Sequence, residues 1–234
     1  MSGHSKWATT KRHKAVIDAK RGAIFTRIGN QIAIAARKGT DPETNAALYM
    51  ILEKARQANM PKANVERAIA RAADKSMADL IEETYEAYGP GGVGIIIEVA
   101  TDNKNRTLPE VRHTLEKNGG RMADAGSVMF QFARKGVIFT PARGDEVMMA
   151  ALDAGAEDVV EESDGTSVYT VAGDLAKVRA ALVAGGFEIS SAELQYVPNN
   201  MVLVEGDNVT KVEKILEAID DLDDVVGVHT NADM

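Results

Sequence analysis

Cysteine is absent from the 234 residues. No disulfide can therefore staple the fold and no thiolate can hold a metal, so stability has to come from a packed apolar core. Long apolar runs are missing too: Val93 to Ala100 is interrupted by Gly94 and Glu98 and is far shorter than the roughly 20 residues that cross a bilayer. The start, Met1-Ser2-Gly3-His4-Ser5-Lys6-Trp7, runs on into charges without the apolar stretch of a secretory signal. A cytoplasmic protein with no membrane partner is expected. The four histidines, His4, His13, His113 and His229, are scattered, and none lies in an HExxH pattern or beside a plausible nucleophile. The glycine-rich Gly89-Pro90-Gly91-Gly92 has no following Lys-Ser/Thr pair and precedes an apolar run, so it reads as a turn rather than a phosphate cradle. The acidic groups at Glu157, Asp158, Glu161, Glu162 and Asp164, and at Asp220, Asp221, Asp223 and Asp224, fit no EF-hand spacing and read as solvated edges. No enzyme, no cofactor and no metal are expected.

What is present is a charge division. The formal net charge of -8 hides 15 Lys and Arg against 6 Asp and Glu in residues 1–75, and 12 against 29 in residues 76–234. Residues 1–40 hold nine basic residues and one acid, Asp18. A field of that sign attracts polyanions, either nucleic acid or an anionic membrane. At about 100° per residue, Lys20, Arg27 and Lys38 fall on one side of a helix, while Ile24, Ile28 and Ile32 lie on the adjacent side. The apolar side is matched by two further amphipathic helices, which argues for packing and against lipid. The candidate nucleic-acid contacts are therefore Lys6, Trp7, Lys11, Arg12, His13, Lys14, Lys20, Arg21, Arg27, Arg37 and Lys38. The basic groups would neutralise phosphates, and Trp7 would stack on an unpaired base or anchor the arm. A second candidate contact is the loop Asp102-Asn103-Lys104-Asn105-Arg106-Thr107, where Lys104 and Arg106 stand at a helix N-terminus, a place that receives phosphate well. The acidic remainder would repel nucleic acid and is left for protein partners.

Apolar spacing predicts helices over 18–38, from the Asp41-Pro42 start to Met60-Pro61, and around Val65 to Ala72. They make a small bundle. After Met77 the pattern changes to β-branched runs alternating with helical ones. Tyr85 to Tyr88 and Val93 to Thr101 flank the glycine turn as a hairpin. A helix from Thr107 to Asn118 and a strand from Ser127 to Ala133 follow. From Gly136 the order is strand (137–140), helix (145–154), strand (158–162), strand (167–171), helix (175–184) and strand (188–196), which is the ferredoxin-like β-α-β-β-α-β order. The last segment adds a strand at 201–205, a helix at 209–222 and a strand at 225–229, completing the unit begun at 77. The expected architecture is α+β and multidomain. A basic arm and three-helix bundle (1–76) is followed by two ferredoxin-like α+β domains, with 136–197 inserted into 77–135 plus 198–234.

The chain resembles the YebC/PmpR family, which includes mitochondrial translational activators of cytochrome oxidase. The resemblance is carried by Gly3-His4-Ser5-Lys6-Trp7, Asp18-Ala19-Lys20-Arg21-Gly22, Ala58-Asn59-Met60-Pro61-Lys62, Tyr88-Gly89-Pro90-Gly91-Gly92, Thr101 to Thr107, Glu110-Val111-Arg112-His113 and Gly126-Ser127-Val128. It departs from the family pattern at Ala8-Thr9-Thr10 and at Ala72-Ala73. The resemblance implies three domains and a role in gene expression, as a DNA-binding transcriptional regulator or, alternatively, as a ribosome-associated translation factor meeting rRNA or tRNA.

Overall fold

The structure is a computed structural model that describes residues 21–73 and 80–234. Its first three helices are α1 (Arg21–Ala36), α2 (Ala46–Gln57) and α3 (Lys62–Ala73). Ile28, Ile32, Ala35 and Ala36 of α1 close with Leu48 and Ala55 of α2 and Ala68 of α3 into one buried cluster. The i, i+4 spacing of Ile28 and Ile32 puts both on the inner side. The start of α2 differs from expectation: the cap is Asn45, not Asp41. Its side-chain oxygen accepts from the Leu48 amide at 3.1 Å, and its amide nitrogen donates to the carbonyls of Ala35 and Gly39 at 2.8 and 2.7 Å. One side chain thus closes α1 and opens α2, while Asp41 caps only the turn before it, through the Glu43 amide.

The first sheet joins β1 (Ile81–Tyr88), β2 (Gly94–Thr101), β3 (Arg121–Met122) and β9 (Val225–Thr230) in the order β3-β1-β2-β9. β1 and β2 form the expected antiparallel hairpin, with Tyr88 opposite Gly94. Gly91 and Gly92 both take positive φ, 78° and 82°, a conformation costly for any residue with a Cβ. β2 is buried throughout except for half-buried Glu98. Ile95, Ile97 and Val99 pack with Val111 and Leu115 of α4 (Lys104–Lys117) and with Val212, Ile215, Leu216 and Ile219 of α7 (Asp207–Asp220). The alternate side chains, including the fully buried Ile96 and Ala100, point to the opposite face, where α1 lies against β2 and β9. β9 pairs with β2 across a register shift at Glu98/Val99. The remaining short strands, β8 (Val202–Leu203) and β10 (Ala232–Asp233), pair in parallel with each other.

Residues 127–133 are not the expected strand. A 3-10 turn occupies Met129–Gln131, and β4 begins only at Phe132. The reason is a tertiary contact: the amides of Gly126, Val128 and Met129 all donate to the carboxylate of Glu86 and are unavailable to a ladder.

Contacts divide the chain into two compact units, the first ending at Phe132 and resuming with Val197–Met234, the second being Ala133–Tyr196. In the second, β4 (Phe132–Thr140), β5 (Asp158–Glu161), β6 (Thr166–Val171) and β7 (Ser191–Pro198) form a sheet in the order β5-β6-β4-β7. α5 (Asp145–Ala154) and α6 (Leu175–Ala184) pack on each other. This order, with crossovers through α5 and α6, is the ferredoxin-like one.

Because Ile97 is wholly enclosed between sheet and helices, Ile97→Ala is expected to lower unfolding stability by about 2–5 kcal/mol. Ile81→Ala, at the more exposed start of β1, should cost under about 1 kcal/mol. Chemical denaturation followed by circular dichroism measures both.

Candidate nucleic-acid interface

Of the candidate contacts, Lys6, Trp7, Lys11, Arg12, His13, Lys14 and Lys20 lie outside the described residues. Arg21 opens α1. Arg27 does not stand on an open face. Its side chain keeps 15% of its surface exposed and pairs at 3.4 Å with Asp220, the last residue of α7. Arg27 stands beside the apolar stripe of α1, and that position is largely enclosed because α1 docks on the sheet. Arg37 follows the end of α1 and donates to the Leu80 carbonyl at 2.7 Å. Lys38 is exposed in the turn beyond the helix.

A further arginine, with no periodic or motif signal in the sequence, joins this seam. Arg71, near the end of α3, donates to Asn30 at 3.2 Å and pairs with Asp102 at 3.6 Å. Asn30, itself buried, donates to the Ala100 carbonyl of β2 at 3.4 Å. Among the described residues, the Nε atoms of Arg27 and Arg71 are buried without a hydrogen-bond partner. The seam between bundle and sheet is therefore lined by charge, and it is incompletely satisfied. The exposed cations of the bundle lie elsewhere: Arg56 beside Glu53, Lys62 beside Glu66 and Arg67 beside Asn64.

Within the 102–107 segment, Asp102 and Asn103 precede α4 and residues 104–107 form its first turn, three residues earlier than the expected start at Thr107. Asn103 caps the helix by accepting from the Arg106 amide at 3.2 Å. Lys104 pairs with Glu83 of β1 at 2.8 Å, and this hydrogen bond holds its ammonium above the ordinary lysine range. Arg106 reaches Asp102 at 3.2 Å and Asp224 at 2.8 Å. Asp224 is the hub of the segment. Its Oδ2 accepts from Thr101 at 3.0 Å and Thr107 at 2.6 Å as well as from Arg106, and its backbone carbonyl accepts from the Ala100 amide. Burial works to raise the Asp224 carboxyl. The hydrogen bonds from Arg106, Thr107 and Thr101 and the charge of Arg106 outweigh it, and the carboxyl sits below its usual range. The motif thus ties the end of β2, the start of α4 and the turn before β9 together, and its cations serve that tie first.

The second unit is built similarly at its acidic edge. Glu157 pairs with Lys135, and Glu161 accepts from Arg143 and from the Gly144 amide ahead of α5. Among the described residues no group of three or more His, Asp or Glu is placed to hold a metal ion, and no helix is long and apolar enough to cross a membrane.

The pattern of the TACO1/YebC protein N-terminal domain matches residues 5–75, and that of the TACO1/YebC second and third domain matches residues 80–232. Among curated relatives, a probable transcriptional regulatory protein of Acidithiobacillus ferrooxidans is 48% identical over 238 residues, covering 100% of this chain and 95% of the relative. One of the same name from Thermobifida fusca is 46% identical over 240 residues, covering 100% and 96%. The crystal structure of a conserved hypothetical protein from Aquifex aeolicus superposes with a TM-score of 0.88 at 38% identity, covering 94% of this chain and 93% of that one.

The Asp224 geometry carries a pH dependence. A carboxyl whose folded pKa is depressed contributes stability above its unfolded pKa, near 3.9, and loses it as pH falls through the folded value. Wild-type stability should therefore fall as pH drops below about 4. Asp224→Asn should be less stable at pH 7 by about 1.5–3 kcal/mol, the scale of hydrogen bonds to a charged group, and should show a flatter acid limb. Urea melts across pH 2–7 read both effects.

Proposed function

The chain belongs to the TACO1/YebC family, and we propose that it is a nucleic-acid-binding regulator of gene expression, gripping its target through the basic N-terminal segment. One observation carries the reading: the separation of 15 basic against 6 acidic residues in 1–75 from 12 against 29 in 76–234. The relatives named as probable transcriptional regulatory proteins support the setting. Residues 1–76 are the binding module in this reading. The α+β parts, 77–135 with 198–234 and 136–197, are the scaffold and the surfaces for protein partners, and the cytoplasm is the compartment.

These intramolecular pairings redistribute the work among the cations. Arg27, Arg37, Lys104 and Arg106 each have an intramolecular acceptor, so their first duty is to the fold. Lys6, Lys11, Arg12 and Lys14 are the residues assigned to phosphate, with Lys20, Arg21 and Lys38 extending the track. Each phosphate neutralised releases condensed counterions, which makes affinity steeply salt-dependent and tolerant of sequence.

Replacing Lys6, Lys11, Arg12 and Lys14 together by Gln should lower affinity for duplex DNA at least tenfold near 0.1 M salt. It should also flatten the log–log salt slope by about 3–4, close to 0.9 per lost contact. Arg27→Gln should instead lower thermal stability, with a smaller effect on binding. Fluorescence anisotropy against a duplex, paired with ribosome co-sedimentation at matched ionic strength, reads the outcome. An unchanged salt slope in the quadruple variant overturns the reading, whereas tight ribosome binding with weak, slope-free DNA binding moves the target from DNA to ribosomal RNA.

A further inference from the structure

Phe130 is 72% exposed, yet the segment that carries it is anchored on both sides of the ring. Glu86, 7% exposed on β1, accepts from the amides of Gly126, Val128 and Met129. Burial works to raise this carboxyl, and the three amides outweigh it and hold it below the ordinary range. Tyr88 donates its hydroxyl to the Ser127 carbonyl at 2.8 Å. On the other side of Phe130, the Gln131 side-chain oxygen accepts from Asn231 at 2.8 Å, and Asn231 in turn accepts from the Gly94 amide at 2.7 Å. Asn199 closes the set, its amide donating to the Gln131 carbonyl at 2.8 Å and its side chain to the Phe130 carbonyl at 3.3 Å. The loop also lies so close to β2 that a Cβ on Gly94 would come within 2.8 Å of Val128 Cγ1.

A lone apolar side chain in water is ordinary and needs no explanation. A buried carboxylate and two asparagines, interior Asn231 and exposed Asn199, holding the chain either side of one are different, because they fix the backbone that carries the ring in advance of any partner. Such pre-organisation lowers the ordering cost of binding. A cation stands at the flank of the loop: the exposed guanidinium of Arg121 lies 4.6 Å over the ring of Tyr88, the same residue that holds Ser127. Asp124 is the one acid between residues 122 and 131.

We propose that Phe130 is a stacking platform for an unpaired nucleobase, with Arg121 meeting the phosphate beside it, so that the first unit contacts single-stranded nucleic acid at a second point distinct from the basic N-terminus. The proposal rests on the nucleic-acid reading above and names what that reading lacks, a preference for unpaired over paired strands. An aromatic face with an adjacent guanidinium is the combination that accepts bases without regard to sequence. An apolar pocket on a protein partner would use the ring but has no need of the guanidinium, and is the competing outcome.

The test compares wild type, Phe130→Ala and Phe130→Trp on three probes of equal length: a single strand carrying 2-aminopurine, the same strand with abasic sites at its centre, and a duplex. Phe130→Ala should weaken single-strand binding on the order of tenfold, the scale of one stacked base, and abolish the 2-aminopurine quenching that wild type produces. Its binding to the duplex and to the abasic strand should stay within about twofold of wild type. Phe130→Trp should restore both affinity and quenching. Because the ring is solvent-exposed, all three proteins should share one melting temperature. If wild type binds every probe with a steep salt slope and Phe130→Ala changes nothing, or weakens all three probes equally, this inference falls while the nucleic-acid reading stands. If wild type binds none of the probes at low salt, both fall.

Discussion

The first unit depends on one constraint: strand β2 is apolar on both faces and has to be covered on both. Ile95, Ile97 and Val99 demand one layer, which α4 and α7 supply, and Ile96 and Ala100 demand another, on the face where α1 lies. A strand of that kind cannot sit at a sheet edge, where water would reach its unpaired backbone. β1 reaches it through the tight glycine turn, and β9 reaches it from the far end of the chain. The side-chain burial that β2 provides is worth about 1.5–3 kcal/mol per large aliphatic residue. That is enough to justify bringing together segments more than a hundred residues apart.

The charges are arranged around that core. The bundle and the sheet keep separate apolar clusters, and Arg27 with Asp220 and Arg71 with Asp102 stand where they meet. These pairs are largely enclosed, so removing one partner leaves a poorly solvated charge and lowers stability, and together they fix where α1 sits. Asp224 and Glu86 act differently. Each is a carboxylate enclosed by donors, and removing it would leave those donors buried and unpaired, a cost that exceeds the net worth of the bonds themselves. Part of the acidity of residues 76–234 is thus internal fastening rather than surface field, and part of the basicity of residues 1–75 is spent on meeting it.

The elements with strong local signals were legible in advance. Helix α5 was expected over 145–154 and α6 over 175–184, and both run over those residues. The hairpin around Gly89-Pro90-Gly91-Gly92 was equally plain, because a glycine pair with positive φ leaves few alternatives. Failures occurred where a distant group intervened. Residues 127–133 have the composition of a strand, but Glu86, some forty residues away, takes their amides. Asp41-Pro42 has the form of a helix start, but Asn45 bonds back to α1 and takes the role. Arg106 and Lys104 looked like helix-terminus cations open to phosphate, and the structure gives each of them a carboxylate.

By itself the sequence determined the class of the fold, α+β with a helical bundle ahead of β-rich units, and the division of charge between a basic start and an acidic remainder. Both follow from local periodicity and composition, which act over a few residues or sum over many. Which cations remain available, and which aromatic ring is held out to solvent, was decided only by tertiary structure. Those outcomes depend on what stands opposite each side chain: Asp220 opposite Arg27, Asp224 opposite Arg106, and the Glu86 carboxylate beneath the loop of Phe130. A short polar interaction between residues far apart in sequence leaves no periodic trace in either segment.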